Sequence, residues 1–101
     1  MLTSKQRAFL RKIARPTDPV FQIGKAGITE ETVTAVNNAL AARELIKLKV
    51  LETCPVSAKE AAAILAEATA SESVQVIGFK FVLFKQKAKE SKFDLKHLEL
   101  L

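Results

Sequence analysis

The run Ile46-Lys47-Leu48-Lys49-Val50 alternates apolar and cationic residues without a break. Successive side chains of a strand point to opposite faces, so Ile46, Leu48 and Val50 share one face and Lys47 and Lys49 the other. Such a strand belongs in a sheet with one face against a core, and the two lysines predict a second face left open. Helical patterns flank it on both sides. Before it, Val33, Val36 and Leu40 repeat at helical spacing, with Thr29 as N-cap and Glu30 and Glu31 in the first turn. That helix is expected to run to about Arg43, leaving Asn37, Asn38 and Arg43 in solvent. After Pro55, Ser57 and Glu60 form a capping box that opens an alanine-rich helix ending near Ala70. Its inward stripe is expected at Ala61, Ile64, Leu65 and Ala68.

The remaining elements extend this alternation of helix and strand. Thr3 and Gln6 fit another capping box, and the helix they start is ended by Pro16, whose preceding residue avoids the helical region. Leu2, Phe9, Leu10 and Ile13 fall on one side of it. Lys5, Arg7, Arg11, Lys12 and Arg15 fall on the other, and that face carries no acid. Val20 to Ile23 reads as a short strand. Ser73–Ile77 and Lys80–Lys85 read as a hairpin turning at Gly78-Phe79, with Val74 and Val76 directed inward. In the last strand Phe81 and Leu83 alternate with Val82 and Phe84, so one apolar pair must lie on the open face; Val82 and Phe84 are assigned to it beside Lys47 and Lys49. The order is α-β-α-β-α-β-β, an α/β (α+β, two-layer) domain with a four-stranded mixed sheet and helices packed on it. Residues 1–85 are read as one domain and residues 86–101 as a lysine-rich tail. In that tail Phe93, Leu95, Leu98 and Leu101 suit a short amphipathic turn.

Composition narrows the chemistry. Cys54 is the single cysteine, so no internal disulfide and no cysteine-based metal site is available, which suits a reduced, cytoplasmic setting. The single histidine, His97, lies in the tail, and no cluster has metal-ligand spacing. The chain is read as a binding protein without catalytic residues, cofactor, metal or small-molecule substrate. No stretch approaches the ~20 apolar residues of a membrane span, and the early cations Lys5, Arg7, Arg11 and Lys12 interrupt any export signal. The formal charge is +5. It is unevenly spread: residues 1–27 hold six cations against Asp18 alone, the middle is acidic, and residues 80–101 are basic again. A basic end of this kind favours a polyanionic partner.

Gly24-Lys25-Ala26-Gly27 stands where the first strand hands over to the second helix. Glycine lets a backbone approach a ligand closely, and a helix start presents unpaired N–H groups to an anion. The stretch is not a nucleotide P-loop: Pro19 stands where that motif needs its first glycine, and Ala26 replaces the hydroxyl that would hold magnesium. A short turn and an anion-binding loop both remain open readings of a bare G-x-x-G. Its place beside the acid-free basic helix favours a nucleic-acid backbone as ligand. On that reading Gly27→Asp is expected to abolish binding and spare the fold.

Five stretches together carry a family resemblance: Leu2-Thr3-Ser4-Lys5-Gln6-Arg7, Val20 through Thr29 around the glycine loop, Arg43 through Val50, Val74-Gln75-Val76-Ile77-Gly78, and Val82-Leu83-Phe84-Lys85. In order and spacing they resemble the CRM domain (chloroplast RNA splicing and ribosome maturation), most of all its stand-alone bacterial YhbY-like form. The resemblance implies a sheet and helices similar to the C-terminal domain of bacterial translation initiation factor three. It also implies RNA binding, association with precursors of the large ribosomal subunit, and a G-x-x-G role for Gly24, Lys25, Ala26 and Gly27. The expected RNA site is therefore this loop with Lys5, Arg7, Arg11, Lys12 and Arg15, on a monomer whose partner is large-subunit ribosomal RNA. The competing reading is a protein-interaction adaptor docking through Lys47, Lys49, Val82 and Phe84.

Overall fold

A computed structural model describes residues 2–86, and the expectations for the tail lie beyond them. The elements are α1 (Ser4–Ala14), β1 (Phe21–Ile23), α2 (Glu30–Arg43), β2 (Leu45–Val50), α3 (Ala58–Thr69), β3 (Glu72–Ile77) and β4 (Lys80–Phe84), in the expected order. All three helices begin at a reciprocal capping box. Thr3 pairs with Gln6, Thr29 with Thr32 and Ser57 with Glu60, each satisfying two otherwise orphaned backbone donors.

The four strands form one mixed sheet in the order β1-β2-β4-β3. β1 runs parallel to β2, which pairs antiparallel with β4, which in turn pairs antiparallel with β3. The last strand thus enters between its two predecessors. This explains why it is apolar on both faces, since a central strand is buried twice. On one face Ile46, Leu48, Val50, Phe81 and Leu83 pack against Val36 and Leu40 of α2 and Ala61, Ala62 and Leu65 of α3.

The opposite face is not open. Leu10 and Ala14 of α1 pack there on Val74, Val82 and Phe84, with Leu2, Phe9 and Leu45 at the margin. Val82 and Phe84 are each only 2% exposed. Lys47 is compatible with this cover because its ammonium reaches the end of α1, 3.4 Å from the carbonyl oxygens of Ala14 and Arg15. A cation is favourable at a helix C-terminus, where carbonyls lack intrahelical partners. The cationic stripe that predicted an open face therefore marks the rim of a second packing layer.

Two inward stripes also shift. In α3 the buried residues are Ala58, Ala61, Ala62, Leu65 and Thr69, while Ile64 and Ala68 are exposed. Alanines flank Leu65 on both sides, so hydropathy does not choose the buried side. Thr69 occupies it with its hydroxyl donating to the Leu65 carbonyl. In β3 the register slips between Ser73 and Gln75. A bulge inserts one residue and reverses the faces that follow it. Val74 is buried beneath α1, whereas Val76 is 37% exposed.

Candidate nucleic-acid interface

β2 leads out of the sheet at Val50, and that end gathers three loops. The Leu51 N–H donates to the Ile23 carbonyl at 2.8 Å, tying the start of the glycine loop to the exit of β2. The Val50 N–H donates to the Phe79 carbonyl at 2.7 Å, tying the β3–β4 turn to the same place. Ile23 pairs with Val50, so the glycine loop and the turn lie two strand spacings apart, about 10 Å.

The glycine loop is a four-residue turn. The Gly27 N–H donates to the Gly24 carbonyl at 2.9 Å, which leaves Lys25 and Ala26 at the exposed corner. Gly27 itself is buried at φ +69°, and a Cβ there would meet Pro55 Cγ at 3.0 Å. Its substitution by aspartate would strain the backbone and press on Pro55, so Gly27→Asp does not spare the local fold. Gly24 makes no such demand; an added Cβ meets Leu51 Cδ1 at 3.4 Å, an ordinary contact. The loop then opens α2 through the Thr29 cap, with Glu30 and Glu31 in the first turn. Those carboxylates oppose an incoming anion, which leaves Lys25 as the exposed cation of the turn.

On the α1 face a cleft of about 480 Å³ opens between the helix and the sheet. Arg11, Lys12 and Arg15 line its helical wall, Lys47 and Lys80 its sheet wall, and Val82 its floor. None of its described lining residues is acidic. The structure thus brings together three of the expected α1 cations with Lys47 of the expected secondary face. Lys49 pairs directly with Lys80 across β2 and β4, on the same side of the sheet. Lys80 follows the β3–β4 turn, so the cleft reaches the sheet end that carries the glycine loop.

Two expected cations are placed elsewhere. Arg7 donates through Nη1 to the Ser73 carbonyl oxygen and lies 4.0 Å from the Glu72 carboxylate, which turns it onto β3. Lys5 is exposed but does not line the cleft. Val82 and Phe84 form no docking surface, because α1 covers them; the adaptor reading loses the apolar patch on which it stood. Sequence reasoning passed over Lys80, Gln75 and Ile77, all of which line the cleft. The two-residue turn at Gly78-Phe79 already pairs Ile77 with Lys80, but only the bulge and the central position of β4 place that pair opposite α1.

The fold is thus a small α+β domain with α1 laid across a cationic cleft and a glycine turn at the sheet end. Residues 2–85 match the CRS1/YhbY (CRM) domain, and the chain belongs to that family. It is 39% identical over 95 residues to YqeI of Bacillus subtilis, named a probable RNA-binding protein, covering 94% of this chain and 99% of the relative. It is 33% identical over 94 residues to an RNA-binding protein of Haemophilus influenzae, covering 93% of this chain and 94% of that one. Its fold is similar to the solution structure of a hypothetical Staphylococcus aureus protein proposed to bind RNA. There the TM-score is 0.78 at 44% identity, over 93% of this chain and 98% of the other.

Proposed function

We propose that this protein binds RNA and acts as a ribosome-associated factor in assembly of the large subunit. The observation that carries RNA binding is the cleft: five cations surround it, and no acid stands among its described lining residues. Arg11, Lys12, Arg15 and Lys80 take phosphates along one track, with Lys47 adding its charge from the end of α1, while Lys25 and the backbone at Gly24 hold the chain where it passes the sheet end. Phosphate contacts of this kind position an RNA and give salt-dependent affinity. The names of the relatives support the same ligand class. The ribosomal part of the reading rests on the family resemblance.

The mechanism is binding and not turnover, by a monomer working in the cytoplasm. Among the described residues no helix is long and apolar enough to cross a membrane. Crosslinking in living cells, followed by sequencing of the bound RNA, tests the reading. Enrichment of large-subunit ribosomal RNA or its precursor is the expected result. Recovery spread evenly over cellular RNAs would remove the ribosomal role, and recovery of no RNA would remove the whole reading.

A further inference from the structure

We propose that the cleft between α1 and the sheet receives one unstacked nucleotide of a single-stranded RNA. Its base lies against Ile77 and Gln75, and its flanking phosphates on Arg11, Arg15 and Lys80. This rests on the RNA-binding reading above and deepens it from a grip on the backbone to selection of single strands.

The argument starts from what a phosphate track does not need. Cations suffice for a backbone, yet the cleft wall also carries Ile77, which is 64% exposed, and the half-buried amide of Gln75. A large apolar side chain in water forfeits the stabilisation that burial would bring, about 25 cal/mol per Å² of apolar area. Ile77 lies outside the cluster buried under α1, so the fold leaves its apolar surface uncovered in the cleft wall. A glutamine amide offers both donors and an acceptor. A nucleobase presents the complement of this wall, an apolar face and a polar edge, whereas a phosphate presents neither.

The local backbone is built to put both residues there. In an antiparallel pair, directly opposed residues share a face; Gln75 opposes Val82 and Ile77 opposes Lys80, and both partners line the cleft. Without the slip at Val74, the alternation would send Gln75 and Ile77 to the other face. The bulge buries Val74 under α1 and aims Gln75 and Ile77 into the cleft, a use of bulges common beside binding sites. The size suits the ligand: about 480 Å³ falls within the ~300–1,000 Å³ of small-ligand pockets. A duplex cannot use the pocket because its bases are held in the stack.

The test is fluorescence anisotropy on the full chain with two labelled probes, a single-stranded oligoadenylate and a blunt RNA duplex of equal length. The double variant Gln75→Ala/Ile77→Ala is expected to weaken single-strand binding about tenfold and leave duplex binding within about twofold. Lys25→Glu is expected to weaken both. Unchanged single-strand affinity in the double variant, or an equal loss on both probes, overturns the nucleotide pocket. A continued effect of Lys25→Glu in that case keeps the RNA-binding reading standing. Failure of the unmodified chain to bind either probe overturns both. A second measurement needs no variant: the amide resonances of Gln75, Ile77 and Lys80 should move with adenosine monophosphate well beyond their response to equal inorganic phosphate. Identical responses count against the pocket.

Discussion

Gly27 packs on Pro55 so closely that a Cβ would lie 3.0 Å from the proline Cγ, and it does so at φ +69°. The second glycine of the loop is therefore demanded by the fold, where the first, Gly24, is permissive. Two residues that read as one motif in the sequence have different physical reasons for being glycine.

Gly27→Ala is expected to lower the unfolding free energy by about 1–3 kcal/mol, through left-handed strain and contact with Pro55. Gly24→Ala should stay within about 0.5 kcal/mol of the parent. Urea unfolding of the two variants side by side measures the contrast. Equal midpoints would show that the turn yields without strain.

Lys25 is the cleaner probe of binding, since it occupies the exposed corner of the turn. Lys25→Glu should leave the thermal midpoint unchanged and weaken RNA binding about tenfold at moderate salt. Filter binding beside a melting curve separates the two effects. Intact affinity would take the loop out of the interface.

The cations of α1 should divide by location. Arg11→Gln with Arg15→Gln is expected to flatten the plot of log affinity against log salt by about two units, one per phosphate contact. Arg7→Gln should leave that slope nearly unchanged and cost about 1 kcal/mol of stability, because its hydrogen bond goes to the Ser73 carbonyl. A slope change for Arg7 as large as for Arg11 would mean that it leaves β3 to meet RNA.

Phe84 tests the covered face. Phe84→Ala is expected to destabilise the fold by about 3–5 kcal/mol, as for other buried aromatic truncations. Calorimetry would read the loss directly. A variant as stable as the parent would mean that α1 does not seal this face, and would restore Phe84 as a surface for a protein partner.

Local chemistry in this chain was legible because its causes are local. Thr3, Thr29 and Ser57 announce helix starts by side chains that reach only three residues ahead. Pro16 closes α1, Gly78 turns the hairpin at φ +57°, and the alternation in β2 names its faces. The element order and the four-stranded mixed sheet followed from these signals. The α1 cations were visible too, as a face without acids.

What the sequence did not disclose is what depends on elements distant along the chain. Whether Lys47 meets water or a helix end is decided by where α1 lies, and its ammonium sits at the carbonyls of Ala14 and Arg15. Whether Val82 and Phe84 are surface or core follows from the same placement. Val74 and Val76 separate because a bulge costs one residue of register, a choice that no periodicity records. By itself the sequence determined the elements, their capping and the sign of the charge, since each is set within one helical turn or one strand. Only the tertiary structure decided which cations converge, because the cleft exists where β4 enters between β2 and β3 and α1 crosses behind them.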